Sequence, residues 1–188
     1  MNMKCDILIS GGGIAGLTAA VAFGNAGFAV ICVDPTAPVT DSAAEGADMR
    51  STAMLQPARR VLESAGIWNH LQDYAAPLQI MRIVDAGGVD IVPRITREFN
   101  AADISDQPFG WNFPNWLLRR ALLERFSELS NVDFRPGIST TSLFTRTTGA
   151  KVGLSDGSRV EARLIVAADG RDSPMRNAAG ISVTRRSY

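Results

Sequence analysis

Glycines at positions 11, 13 and 16, set between a short apolar run and a long segment of small residues, constrain this chain more than any other stretch. Residues 5–10 are too short for a helix and rich in Ile and Leu, so they read as a buried strand ending at the first glycine. Residues 14–26 suit a helix, with Asn25 and Gly27 as stop signals. Residues 28–33 form a second buried strand, which delivers Asp34 at its carboxyl end. Strand, glycine turn, helix, strand and acid make a βαβ unit.

Gly11, Gly13 and Gly16 fit the G-x-G-x-x-G spacing. In it the first glycine makes the tight turn, the second lets the backbone approach a pyrophosphate, and the third packs helix on strand. The helix start at Ile14, Ala15 and Gly16 offers unpaired N–H groups and the positive end of the helix dipole, a natural anion site. Asp34 follows Gly16 by eighteen residues, where a carboxylate can accept hydrogen bonds from an adenosine ribose. A glycine motif alone would equally suit a turn with an incidental acid. The whole unit points to dinucleotide binding.

With 188 residues, 46% of them hydrophobic, the chain can bury a sizeable core and form one domain or slightly more. Its 19 basic and 19 acidic residues cancel without a basic tract, which argues against nucleic acid as a partner. Cys5 and Cys32 fall on the two strands outside any metal or redox spacing and read as reduced core thiols of a cytoplasmic protein. No charged residue lies between Asp6 and Asp34, yet the glycines cut this run into pieces too short to cross a bilayer and argue against a signal peptide.

Residues 35–49 lack periodicity and read as a long loop ending at Arg50, a cation placed to reach a pyrophosphate. Ser51 is expected to cap a helix running to Gly66, started afresh or kinked at Pro57. His70, the only histidine, has polar neighbours and is expected to face solvent. Residues 78–84 and 89–95 suggest a hairpin with Pro93 at an edge. Asn115 is expected to cap a helix whose Leu118, Ala121, Leu122, Phe126 and Leu129 form the apolar stripe, opposite a solvated face of Arg119, Arg120, Glu124 and Glu128. A short strand at 132–135 and an antiparallel meander over 138–147, 151–154 and 159 onward come next. Residues 164–168 are continuously apolar, as in a parallel strand buried on both faces, and lead to Asp169-Gly170-Arg171-Asp172-Ser173-Pro174-Met175-Arg176. The fold class is α/β: a Rossmann-like domain of parallel sheet, crossover helices and antiparallel meander, with a small part of a second, antiparallel domain.

The spacing D-G-x-x-S-x-x-R at Asp169, Gly170, Ser173 and Arg176, paired with Gly11, Gly13, Gly16 and Asp34, resembles the FAD-dependent aromatic monooxygenases related to p-hydroxybenzoate hydroxylase. Within them the chain is most similar to the ubiquinone-biosynthesis hydroxylases, on residues 168–176, 48–50 to 66–68, and 115–122. The resemblance implies that Gly11, Gly13, Ile14, Ala15 and Gly16 line an FAD pyrophosphate, that Asp34 holds the ribose, and that Arg50 approaches the pyrophosphate. It places Asn115 and Arg119 on the flavin side. Asp169 and Gly170 would serve flavin binding and, with Ser173 and Arg176, shape the region that NAD(P)H visits; read without the resemblance, these four are a turn, a helix cap and a surface charge. Residues 1–76 and 110–180 would form the FAD-binding domain, and 77–109 with 181–188 parts of an incomplete substrate domain.

The family's third flavin motif, a Gly-Asp-Ala-Ala-His-like run, is absent here, and residues 184–188 look like the middle of a strand, so the chain reads as the N-terminal part of a longer enzyme, inactive by itself. In such an enzyme reduced flavin activates oxygen for transfer to an aromatic ring, with no protein nucleophile and no metal. The implied substrate is a polyprenylated phenol dissolved in the membrane, reached by a protein peripheral at its inner face or held in a biosynthetic complex. Other readings of the same residues are a small-phenol hydroxylase, a halogenase or a reductase, or a nucleotide-binding module without catalysis.

Overall fold

A computed structural model describes residues 2–87 and 92–186. In chain order it comprises β1 (Asn2–Ser10), α1 (Ile14–Asn25), β2 (Val30–Asp34), β3 (Ser51–Leu55), α2 (Gln56–Ser64), β4 (Ala76–Pro77), β5 (Ile80–Asp85) and β6 (Ile95–Asn100). There follow β7 (Gly110–Pro114), α3 (Asn115–Ser127), β8 (Val132–Pro136), β9 (Thr140–Arg146), β10 (Gly149–Leu154), β11 (Arg159–Ala167) and α4 (Pro174–Ala178). Single 3-10 turns occupy Trp68–His70, Gln72–Tyr74 and Ala101–Asp103.

Six strands form the main sheet in the order β8-β2-β1-β11-β10-β9, the first four parallel and the last two antiparallel. Successive residues of a strand face opposite sides, and the sequence uses both. Ile7, Ile9, Val30 and Cys32 point toward α1 and α3, where they pack with Leu17, Val21, Leu118, Leu122 and Phe126. Leu8, Ile31 and Val33 face the other way and pack with Val152, Leu154, Val160 and Met175. The expected βαβ unit and meander are present. Among the described residues, no helix is long and apolar enough to cross a membrane.

Several expectations need correction. Ser51 caps no helix: residues 51–55 are a strand paired antiparallel with β7, Ser51 opposite Pro114 and Leu55 opposite Gly110. The close approach needs Gly110, where a β-carbon would lie 2.4 Å from the Met54 carbonyl oxygen. The helix instead begins at Gln56, with Pro57 in its first turn, where a missing N–H costs nothing. In the hairpin, β6 starts at Ile95, later than expected, so Pro93 lies in the connection; part of the expected strand, 89–91, lies outside the described residues. Residues 181–186 carry no strand. β11 pairs parallel to β1 along its whole length, while β10 covers only Arg159–Ala162. Beyond that cover Leu164 is 49% exposed, so this strand is not buried on both faces. His70 is only 24% exposed and lies between Glu124, 3.6 Å away, and Glu128, 3.5 Å away, because residues 68–70 turn back against α3.

Candidate dinucleotide site

Three parallel strands end level with one another. Ser10 stands opposite Val33 on one side and Ala167 on the other, so the turns after β1, β2 and β11 emerge at one edge of the sheet, where parallel sheets bind ligands. Backbone bonds lock the turns together: Gly11 N–H donates to the Val33 carbonyl at 2.8 Å and Ala168 N–H to the Ser10 carbonyl at 2.7 Å. A cleft of about 300 Å³ opens between them, lined by Gly11, Gly13, Asp34, Thr140, Asp169 and Gly170 among others.

The three glycines differ in their surroundings. At Gly11, φ is +112° and a β-carbon would meet the Ala168 carbonyl oxygen at 2.2 Å. At Gly16 a β-carbon would meet the Gly11 oxygen at 1.8 Å, so helix and turn touch backbone to backbone. At Gly13 nothing lies within 4 Å and φ is −70°. That position is open space over the start of α1. Gly13 caps this helix without any side-chain hydrogen bond and no acid stands in the first turn, so the N–H groups of Ile14, Ala15 and Gly16 have no side-chain partner among the described residues. These donors, the dipole of a 12-residue helix and the open face fit the pyrophosphate of a dinucleotide.

Asp34 anchors this edge. Its Oδ2 accepts from Gly12 N–H at 2.5 Å and its Oδ1 from Thr36 N–H at 2.7 Å. Each carboxylate oxygen has a second acceptor site, so a ribose hydroxyl can still be bound. Across the cleft, Asp169 accepts from the Ser173 hydroxyl and, at 2.9 Å, from Met175 N–H. Gly170 supplies the turn with φ +89°. Ser173 caps α4 by accepting from Arg176 N–H at 3.0 Å, and Arg176 donates through Nη1 to the Arg171 carbonyl at 2.9 Å, while its Nε is buried without a partner among the described residues.

Arg50, Asn115 and Arg119 form a second cluster around Asp48, a residue that carries part of the resemblance but to which sequence reading gave no site role. Arg50 grips Asp48 from the side, Nε to Oδ1 at 2.8 Å and Nη2 to Oδ2 at 2.9 Å. Asn115 donates to Asp48 Oδ2 at 3.0 Å and accepts from Thr52 Oγ1 at 2.6 Å. Asn115 is therefore not a helix cap; Pro114 holds that position, and the amide is spent on the cluster. Arg119 lies 3.6 Å from Asp48 and is 22% exposed, so it does not belong to a solvated face. The Arg50 guanidinium, followed by the Asn115 amide, holds the Asp48 carboxyl well below the usual range. The signal for Asp48 was its i, i+2 spacing to Arg50. Among the described residues no group of three or more His, Cys, Asp or Glu side chains could hold a metal ion.

Residues 4–188 match the family described as FAD binding domain. The chain belongs to that family. This FAD-binding-domain chain is 34% identical over 183 residues to ubiquinone hydroxylase UbiL of Rhodospirillum rubrum, across 97% of this chain and 41% of that protein. It is 26% identical over 188 residues to 3-demethoxyubiquinol 3-hydroxylase of Escherichia coli, across 46% of that protein. The anhydrotetracycline hydroxylase OxyS of Streptomyces rimosus shares the fold, with TM-score 0.77 and 22% identity over 98% of this chain and 36% of that one. The FAD-binding-domain chain thus spans less than half the length of these relatives.

Proposed function

We propose that this chain carries the FAD-binding part of an NAD(P)H-dependent flavoprotein monooxygenase that hydroxylates an aromatic ring, a polyprenylated phenol of ubiquinone biosynthesis. The open, uncapped N-terminus of α1 facing Asp34 and Asp169 across a cleft is the observation that carries the reading. Similarity to proteins named ubiquinone hydroxylase and 3-demethoxyubiquinol 3-hydroxylase supports the substrate class.

In this reading the N–H groups of Ile14, Ala15 and Gly16 bind the pyrophosphate, with Gly11 and Gly13 lining its approach. Asp34 orients the ribose, and Arg50 offers a charge-assisted contact to the phosphates. Asn115 and Arg119 border the flavin side. Asp169 and Gly170 shape the turn at the flavin, and Ser173 and Arg176 form the region where NAD(P)H docks. Bound FAD supplies oxygen activation and transfer, while the chain binds, orients and excludes water. Residues 1–76 and 110–180 form the FAD-binding domain, and 77–109 with 181–188 belong to a substrate domain. The whole protein works at the inner membrane face, where its substrate is dissolved.

The test is NAD(P)H oxidation by the whole protein with candidate phenols, paired with mass analysis of the product. Phenol-stimulated oxidation that adds one oxygen atom is expected. Oxidation with no oxygen in the product would identify a reductase instead.

A further inference from the structure

We propose that Asp48 is a positioning residue for the cofactor, holding Arg50 by one edge so that the free edge of the guanidinium meets the cofactor's phosphates. This rests on the reading of Arg50 as a pyrophosphate contact. A guanidinium carries five N–H donors in a fixed fork, and the side-on grip of Asp48 uses one on Nε and one on Nη2. Among the described residues the other three donors have no partner, on a side chain that is 83% exposed, while the Asp48 side chain is only 11% exposed. The buried end of the pair is thus fixed and the outer end is available.

The rest of the cluster fixes Asp48 in turn. Arg50 N–H donates to Asp48 Oδ1 at 3.2 Å, closing a tight turn at the end of the 35–49 loop. Asn115 reaches the same carboxylate, and its own N–H donates to the Arg50 carbonyl at 2.8 Å. The loop junction is thereby tied to the first turn of α3 by both side chain and backbone. Arg119 adds a second cation at 3.6 Å, so two guanidiniums face one carboxylate and the cluster keeps a surplus positive charge. That surplus suits an anionic ligand, and a lone carboxylate without it would repel one. An isolated exposed ion pair would contribute little, but a nearly buried carboxylate with three partners is a network.

Calorimetric titration with FAD, and with ADP as its pyrophosphate-bearing fragment, tests this on wild type, Asp48→Asn, Arg50→Ala and the double variant. Each single variant is expected to weaken both ligands about tenfold, and the double variant no more than Arg50→Ala alone, since Asp48 acts through Arg50. Losses that multiply in the double variant, or tighter binding by Asp48→Asn, would overturn the proposal and leave the Arg50 contact standing. Unchanged affinity in Arg50→Ala, or no binding of either ligand by wild type, would overturn the phosphate contact itself. The Arg50 Nε–H resonance gives a readout that needs no variant. It is expected to be slow to exchange in the free protein and to persist with FAD bound; its disappearance on FAD binding would show that Asp48 is a placeholder displaced by phosphate.

Discussion

The α-carbon of Gly16 lies so close to the Gly11 carbonyl that a β-carbon on it would sit 1.8 Å from that oxygen. Gly13, between them, faces open space. The same motif therefore contains a glycine packed against backbone and one facing open space, the latter the proposed ligand-facing position, and substitution separates them. Gly16→Ala is expected to cost roughly 1–3 kcal/mol or more of stability, because backbone must move to admit the methyl. Gly13→Ala keeps an ordinary backbone angle and is expected to leave the Tm almost unchanged while weakening FAD. Thermal unfolding and FAD titration of both variants check this pair of outcomes.

Asp34 links the glycine turn to β2, accepting from Gly12 and Thr36 amides. Asp34→Ala leaves the part-buried Gly12 N–H without its partner, at about 1–3 kcal/mol, leaves the exposed Thr36 N–H to water, and removes the proposed ribose acceptor. Both stability and FAD affinity are expected to fall. A variant that loses FAD affinity with full stability would show that Asp34 serves the ligand alone.

Asp48 makes the fold sensitive to acid in a defined window. Its carboxyl is held below the ordinary value by Arg50 and then Asn115, so the unfolded chain takes up the proton first as pH falls. The stabilisation is therefore complete above the ordinary carboxylate pKa of about 3.9 and fades below it. The Tm gap between wild type and Asp48→Asn is expected to be constant from neutral pH to about 5 and to narrow progressively below about 4, vanishing only as pH falls through the depressed value of the folded protein. A gap that does not narrow at all as the pH is lowered from about 4 would mean that charge is not what Asp48 contributes.

Burial pushes the Cys32 thiol up to about 12 and the half-buried Cys5 thiol to about 11. Neither supplies thiolate at neutral pH. Alkylation of the native protein at pH 8 is expected to be slow, with both thiols reacting on unfolding. Rapid native alkylation of Cys32 would contradict its place in the core.

What the sequence made legible was whatever one stretch decides by itself. The β1-α1-β2 unit carries its own punctuation in glycine spacing and continuous apolar runs, and Asp34 follows from it. The apolar stripe from Leu118 to Phe126 likewise reads at helical period. Ser51–Leu55 misled because a Ser before a mixed segment resembles a cap, and its strand form depends on a partner at Gly110–Pro114, far along the chain. Asn115 misled for the same reason: its partners, Asp48 and Thr52, come from the other side of that pairing. The end of β10's cover at Ala162, which leaves Leu164 exposed, is a matter of register that no local pattern encodes.

The claim that the cleft at the ends of β1, β2 and β11 receives the adenylate half of FAD is tested most directly by titrating the protein with ADP while following backbone amide resonances. The largest shifts are expected at Gly13, Ile14, Ala15 and Gly16, with smaller ones at Gly12 and Thr36, whose N–H groups bond Asp34. Saturable shifts centred elsewhere, or none at the start of α1, would contradict the account.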